Sequence, residues 1–482
     1  MHISTICRIL GILLMVFSLS MLPPIVVSLI YDDLQVTAFL HAFIITLGVG
    51  IIAWLPVRNL RKELRVRDGF VVTVLFWLVL SISGSIPLYL SDAFDLQYVD
   101  AYFESLSGLT TTGATVITGL DDLPHSILWY RQQLQWFGGM GLIVLAVAIL
   151  PMLGIGGMQL YRAETPGPVK DSKLTPRITE TAKALWYVYL GLTTACALAY
   201  WGAGMSLFDA ICHSFSTIAI GGYSTHDASI GFFDNSLIEL IAIVFMFVSG
   251  VNFALHFTAW RSNSWKAYLR DPEFRFYGSL MLFVALVTIT TLYFTDTYGL
   301  TDSIIRGLFE VVSIATTTGF ATADFTSWPF VLPFLLFLVA FVGGCAGSTG
   351  GGMKAIRILL IYKQGLREVK RLIHPNAIIP VKLGKKPVPD RVLEAVWGFF
   401  SVYLFVFVVL LLLLLATGLD QVTAWSAVGA SINNLGPGLG DVSTHYGDIP
   451  NTAKWILCFA MLMGRLEIFT LLILFTPSFW RN

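Results

Sequence analysis

Ser107-Gly-Leu-Thr-Thr-Thr-Gly-Ala-Thr115 is a run of small and hydroxyl residues set between two long apolar segments. It is too short and too polar to span a bilayer. It recurs in degraded form as Ile218-Ala-Ile-Gly-Gly-Tyr-Ser-Thr225, Ala315-Thr-Thr-Thr-Gly-Phe-Ala-Thr322 and Asn433-Asn-Leu-Gly-Pro-Gly438. Alignment of the four puts Gly113, Gly222, Gly319 and Gly436 in register. Four polar re-entrant loops between apolar helices are what an ion filter of approximate fourfold symmetry needs.

Outward from these loops, the chain is apolar. It has 482 residues, 56% hydrophobic and only 12% charged, with a mean hydropathy of +0.76. Soluble domains carry about 25% charged residues, so a polytopic membrane protein is expected. The net charge is zero, which argues against a nucleic-acid partner. Cys7, Cys196, Cys212, Cys345 and Cys458 lie in or beside apolar runs without metal-ligand spacing, and read as small buried hydrophobes. The polar stretches are too short to bury a soluble core of their own.

The first apolar run, 6–30, is long for a signal peptide, contains Pro23-Pro24 and has no small-x-small cleavage site. It reads as a spanning helix, and the run 36–54 returns the chain. From there the pattern is helix, short half-apolar segment, polar loop and helix, four times over. The expected segments are 70–90, 101–109, 110–119 and 127–150; then 184–200, 208–218, 219–225 and 237–260. They continue as 277–294, 304–315, 316–322 and 329–362, and end as 392–416, 423–432, 433–440 and 453–475. Each flanking helix has the roughly 20 apolar residues a bilayer requires, and each middle segment has too few. A re-entrant segment is allowed only where protein or water satisfies its backbone, which places the loops at an internal pore.

The expected architecture is thus an all-α membrane protein: four pseudo-symmetric helix–pore helix–helix repeats around a central pore, plus an N-terminal helix pair. Its divisions are 1–67 for the pair and a basic loop, 68–182, 183–275, 276–391 with a broken second helix, and 392–482. Links between units are basic, carrying Arg162, Lys170, Lys173, Arg177 and Lys183, then Arg261, Lys266, Arg270 and Arg275, then Lys363 through Arg391. Loops within units carry Asp121, Asp122, Asp227, Asp324 and Asp441. The positive-inside rule then gives ten spanning helices with both termini cytoplasmic.

A cation stripped of water needs replacement oxygens, and backbone carbonyls supply them without a fixed charge that would trap it. Glycine permits the φ > 0 conformations this asks for. The expected filter is Thr111, Thr112 and Gly113; Ile220, Gly221 and Gly222; Thr317, Thr318 and Gly319; Asn434, Leu435 and Gly436. None is acidic, which favours a monovalent cation over calcium. Each middle segment is expected to aim its C-terminal, partially negative end at the loop. Nine residues before the glycines stand Glu104, His213, Glu310 and, in the fourth repeat, Ala427. These read either as polar supports behind the filter or as snorkelling interfacial residues. Asp227, Asp324 and Asp441 either concentrate cations in an outer vestibule or are ordinary solvated loop residues.

The second helix of the third unit is interrupted by Gly343, Gly344, Cys345, Ala346, Gly347, Ser348, Thr349, Gly350, Gly351 and Gly352. Each glycine in a helix costs about 1 kcal/mol relative to alanine, so a broken helix with an intramembrane loop is expected. Close glycine packing between helices suits one or two glycines but not this run. Ala346-Gly-Ser-Thr-Gly350 lacks the first glycine of a nucleophile elbow, and Gly347 to Lys354 lacks the Gly-Lys-Ser/Thr of a phosphate loop. No enzyme activity is therefore expected. Arg465 lies well inside the last apolar run, where a charge ordinarily faces a cavity or a partner. Below the filter it would repel a cation; Glu467 is an alternative partner, although i, i+2 residues do not share a helix face.

Together the first loop, Gln135-Trp-Phe-Gly-Gly-Met-Gly141, Gly344-Cys-Ala-Gly-Ser-Thr-Gly-Gly-Gly-Met-Lys354 and Asn433-Asn-Leu-Gly-Pro-Gly-Leu-Gly440 resemble TrkH, the membrane-subunit family of bacterial Trk potassium uptake systems. The wider superfamily includes the KtrB and HKT cation transporters. The likeness spans the whole chain and rests on the combination of motifs. It implies potassium uptake across the cytoplasmic (inner) membrane, with potassium as substrate held by the twelve filter residues. It implies a homodimer with one pore per protomer, and a TrkA-like cytoplasmic ring that binds the regulating nucleotide; no cofactor is expected in this chain. Glycine at every filter position resembles the potassium-preferring members. The second repeat departs most, with Ile220-Gly221 where the others offer Thr-Thr or Asn-Leu. The family's gate carries over to residues 343–352 and Arg465. A sodium- or proton-coupled cation symporter is the alternative, and an ammonia or neutral-solute channel fits four glycine-centred loops less well.

Overall fold

The computed structural model describes residues 2–59, 65–141 and 178–481. The expected second helix of the first unit beyond 141, and the link with Arg162, Lys170, Lys173 and Arg177, lie outside the described residues. Among the described residues, six helical stretches are long and apolar enough to cross a membrane: Ile3–Tyr31, Val36–Val57, Arg67–Tyr89, Lys183–Gly202, Pro272–Phe294 and Asp390–Leu415. Four shorter helices, Tyr98–Leu109, Leu207–Ala219, Leu300–Thr316 and Gln421–Asn433, occupy the expected middle segments. We call these the first to fourth pore helices. Beyond the helices, the described residues hold one small antiparallel hairpin, Lys382–Leu383 with Lys386–Pro387.

The N-terminal pair crosses closely at glycine. A Cβ on Gly11 would sit 2.8 Å from the Gly50 carbonyl oxygen, so only a bare Cα permits this approach. The pair docks onto the helix His125–Trp136: the Ser126 amide donates to Asp33 (2.8 Å) and the Gln133 amide group donates to the Ser20 carbonyl (2.6 Å).

The repeats close into a ring by one packing rule. Each pore helix lies on the second helix of the repeat before it. The second pore helix packs on His125–Trp136, and the third on Ser236–Ser249. The fourth packs on Leu332–Ala340, where Trp425 meets Phe337 at 5.0 Å between ring centroids. The first packs on Asn451–Arg465, completing the cycle. Leaving lipid gains apolar surface no hydrophobic driving force, so these polar pore helices depend on packing and hydrogen bonds within the ring around them. Every residue of the first pore helix from Val99 to Leu109, apart from Asp100, is buried.

The second helices depart from expectation. The segments at 237–260 and 453–475 read as continuous, yet both are bent. Ser236–Ser249 meets Phe253–Arg261 at 93°, and Asn451–Arg465 meets Phe469–Phe475 at 108°. The first bend follows Gly250, and Asn252 caps the new helix by accepting from the Ala254 amide (2.8 Å). The second bend has Glu467 and Ile468 both at positive φ, 54° and 58°. In the first repeat, residues 137–141 widen into a π-turn. The third repeat breaks as expected, between Leu332–Ala340 and Ala355–Ile373, but the latter helix runs past the expected end at 362. The second helices of the second, third and fourth repeats are therefore interrupted, and that of the first passes into the π-turn where the described residues end.

Candidate functional site

Each pore helix ends in the same way. The residue after its last turn adopts the left-handed conformation: Thr111 (φ 55°), Ile220 (55°), Thr317 (69°) and Asn434 (53°). The next amide reaches back five residues to the helix: Thr112 to Ser107 (2.9 Å), Gly221 to Ser216 (2.9 Å), Thr318 to Ser313 (2.8 Å) and Leu435 to Ala430 (2.8 Å). This is a Schellman closure, ordinarily built on glycine. A side chain there costs about 1–2 kcal/mol per residue, and a β-branched one such as Ile220 is a strong outlier. Two residues on, Gly113, Gly222, Gly319 and Gly436 return to positive φ, at 80°, 83°, 83° and 94°. All four repeats thus carry the same alternating backbone, which exposes a run of carbonyls within each loop.

The glycines also lock the four loops to one another. A Cβ on Gly113 would strike the Gly221 carbonyl oxygen; one on Gly222, the Thr318 oxygen; one on Gly319, the Leu435 oxygen; and one on Gly436, the Thr112 oxygen. The order runs first, second, third, fourth and back to first. The four loops close into a circle through Thr112, Gly113, Gly221, Gly222, Thr318, Gly319, Leu435 and Gly436; Thr111, Ile220, Thr317 and Asn434 are the left-handed residues just before them.

Polar groups hold the circle from behind. Glu104, fully buried, accepts from Thr115 Oγ1 (3.0 Å), the Val116 amide (2.9 Å) and Arg131 Nε (2.8 Å). Glu310, equally buried, accepts from the Thr322 (2.7 Å) and Ala323 (3.2 Å) amides. His213 Nε2 meets Ser224 Oγ at 2.9 Å. These are supports, not interfacial residues. In the fourth repeat the support is Ser426, which accepts from the Leu439 amide (2.8 Å), rather than its neighbour Ala427. Asp227, exposed, accepts from the Gly119 (3.1 Å) and Leu120 (3.0 Å) amides and ties the second loop to the first. Asp324 accepts from the Thr326 amide (3.0 Å).

Beneath the circle lies the glycine loop. The Gly351 amide donates to Thr317 Oγ1 (2.7 Å), the Gly352 amide to the Asn433 carbonyl (3.0 Å), and Thr349 Oγ1 to the Ile218 carbonyl (2.9 Å). Residues 349–352 thus touch the C-terminal ends of three pore helices. Gly343, Gly347 and Gly352 have φ of 69°, 76° and 74°, and a Cβ on Gly351 would strike the Asn433 oxygen, so glycine is required at this contact. The loop is anchored on its other side by Glu273, which accepts from the Ala346 amide (2.6 Å), and by the Gly250 carbonyl, which accepts from Cys345 (2.8 Å).

Arg465 sits at the junction of the fourth and first repeats. It donates to Thr111 Oγ1 (3.2 Å) and to the Gly139 carbonyl (2.8 Å) of the π-turn, and also to Gly138. Its expected alternative partner is engaged elsewhere: Glu467 accepts from Arg357 (2.6 Å), whose guanidinium lies 4.0 Å from the Phe399 ring centroid. The reversal of backbone direction at Glu467 separates the two side chains, which are only two residues apart.

The family model described as "TrkH: Cation transport protein" matches residues 35–482. The chain belongs to the TrkH family. It is 62% identical over its whole length, and that of the relative, to the Trk system potassium uptake protein TrkH of Halomonas elongata. The Escherichia coli K12 protein of the same name is 55% identical, again over 100% of both chains. The crystal structure of the potassium transporter TrkH from Vibrio parahaemolyticus matches with a TM-score of 0.91 at 55% identity, covering 100% of each chain.

For this TrkH-family chain, several site residues lay outside the expected set. Gln135 explains how the second repeat manages without Thr-Thr: its Nε2 donates to the Gly221 carbonyl (2.6 Å) and its Oε1 accepts from the Tyr223 amide (3.1 Å). Tyr446 donates to the Gly436 carbonyl (2.7 Å) and Asn434 Nδ2 to Thr112 Oγ1 (2.9 Å). Lys354 is buried at φ 76°, donates to the Gly350 carbonyl, and lies within electrostatic reach of Arg465, Arg357, Glu467 and Glu273. The available signal was polarity inside an apolar segment: Arg131-Gln-Gln-Leu-Gln135 and Lys354 are both out of place in a lipid-facing helix.

Proposed function

We propose that this chain translocates potassium across the cytoplasmic membrane, as the Trk system potassium uptake proteins it resembles are named for doing. The observation that carries the proposal is the closed circle formed by Gly113, Gly222, Gly319 and Gly436, each seated against a carbonyl of the next loop. Such a circle offers a dehydrated monovalent cation several neutral oxygens and no fixed charge to trap it. The pore-helix C-termini add partial negative charge around the same axis. Residues 111–113, 220–222, 317–319 and 434–436 form the filter.

Residues 343–352 and Arg465 form the gate. The loop lies across the inner end of the circle and hydrogen-bonds to the third filter loop through Thr317. Arg465 brings a positive charge to the first through Thr111. In a low-dielectric cavity that charge repels an approaching cation more strongly than it would in water. The chain works as a homodimer with a soluble nucleotide-binding ring, both termini lie in the cytoplasm, and the basic links face that side.

The test is cation flux in liposomes holding the purified chain, with potassium and sodium compared. Potassium flux exceeding sodium flux is expected. Equal fluxes, or transport of neutral solutes or ammonia alone, would sink the assignment.

A further inference from the structure

The four supports behind the filter differ in charge, and one of them has no counter-charge. Glu104 is ionically paired: Arg131, itself 1% exposed, donates to it at 2.8 Å, and both its oxygens are engaged. His213 is satisfied as a neutral ring: Nδ1 faces the Asp209 carbonyl at 2.9 Å, and Nε2 faces the Ser224 hydroxyl. Ser426 is uncharged. Glu310 stands apart. It is 0% exposed, and no arginine, lysine or histidine among the described residues forms an ion pair with it. Its Oε1 takes the Thr322 amide, the Thr322 hydroxyl (3.3 Å) and the Ala323 amide, while Oε2 is buried without a hydrogen-bond partner among the described residues.

The charged group facing Glu310 from the neighbouring helix Ser236–Ser249 is another acid, Glu239. On its own helix, Arg306 lies one turn earlier and sits over the Tyr298 ring at 5.2 Å. An unpaired carboxylate in such a place would lose its hydration and gain only repulsion. The two oxygens also behave differently: one accepts three hydrogen bonds and the other accepts none. With no partner at Oε2, a carboxylate would leave part of its charge unsolvated, whereas the neutral acid leaves only one O–H unpaired, which is the smaller cost.

We propose that Glu310 is a protonated, neutral acid that positions the third filter loop, so that all four supports together add no net charge behind the filter. The functional half of the proposal rests on residues 317–319 being part of the filter. Glu310 is a positioning residue: it touches Thr322 and Ala323, not the ion. Neutrality matters because a net negative charge this close to the axis would deepen one site and slow the ion's departure. Raising the pH removes the proton, adds that charge behind the third repeat, and draws the Thr322 and Ala323 amides toward it. The single proton lost goes to solvent, and no other bond changes.

The experiment is infrared difference spectroscopy of the full-length protein in lipid, paired with potassium flux across a pH series. At neutral pH the wild type should show the carbonyl stretch of a protonated carboxylic acid. Glu310→Gln should lose that band and yet retain wild-type flux and potassium preference at neutral pH. Wild-type flux should fall as the pH is made alkaline, and the Glu310→Gln variant should be spared that loss. If Glu310→Gln does not assemble, Glu310→Asp serves instead and should shift the band. A spectrum in which neither substitution alters an acid band overturns the proposal, as does an alkaline flux loss identical in wild type and variant. Gly113→Ser leaving the potassium-to-sodium ratio unchanged would instead remove the filter assignment while leaving the band, so the two failures are distinguishable.

Discussion

At the scale of single residues, the left-handed positions are where the sequence hides most. Gly113, Gly222, Gly319 and Gly436 stand out because glycine advertises positive φ. Thr111, Ile220 and Thr317 advertise nothing, since threonine and isoleucine rarely adopt that conformation alone and the surrounding ring holds them there, whereas Asn434 is a residue type that visits it readily. Gly113→Ser places a side chain against the Gly221 carbonyl. It should lower the potassium-to-sodium permeability ratio in liposomes while protein yield stays normal; an unchanged ratio would remove Gly113 from the filter. His226, in the loop after the second filter segment, offers a pH test. Burial lowers its pKa, but the Asp209 carboxylate, 3.5 Å from Nε2, and the hydrogen bond to Asp121 outweigh burial and leave it above the ordinary imidazole value. The stabilisation from charged His226 is then fully present below the ordinary imidazole pKa, and is lost as pH rises through the raised one. Wild type should exceed His226→Ala in Tm at acid pH, with the gap closing toward alkaline pH. A gap independent of pH would show that the ring's stacking on Phe232, at 3.5 Å, carries the effect instead.

At the scale of elements, helix existence was legible and helix continuity was not. Apolar length located the spans and pore segments, because a bilayer demands about 20 residues of one and protein must shelter the other. The bends after Gly250 and at Glu467 escaped, since a single glycine, or none, gives little warning; what bends the chain is tertiary, the need to carry the loop and Arg465 under the filter. The charged cluster of Lys354, Arg357, Arg465 and Glu467 connects these interrupted segments. Deleting several residues of 343–352 should raise basal potassium flux into vesicles, and Arg465→Ala should raise it too. Selectivity should persist in both, because the oxygens of the circle are untouched. The double variant should gain less than the product of the single gains, since both changes act on one barrier. Flux unchanged or lowered in both single variants, at equal protein level, would place the barrier elsewhere.

At the scale of the molecule, the cyclic order of repeats was readable from fourfold recurrence, whereas the rule that closes the cycle was not. Each pore helix leaning on the preceding repeat is a long-range relation, and a single sequence records no pairing between, for example, Trp425 and Phe337. In the basic third link, Lys385 and Lys386 lie exposed at the hairpin, and Ile378 is 96% accessible. A soluble ring subunit is expected to co-purify through this surface and to confer nucleotide-dependent flux that the isolated chain lacks. Equal nucleotide sensitivity without the ring would contradict the proposed division of labour.

The Gly352 amide and the Thr349 hydroxyl end on the Asn433 and Ile218 carbonyls, oxygens at the C-terminal ends of pore helices. A dehydrating cation in the cavity seeks those same lone pairs. Loop and ion are then rival ligands for one set of acceptors, and occupancy by one disfavours the other. Under the proposed gate, the permeant species would act as an agonist of its own passage. Potassium titrated against the purified protein should increase proteolytic cleavage or hydrogen exchange within 343–352, while a cation too large to enter should leave both unchanged.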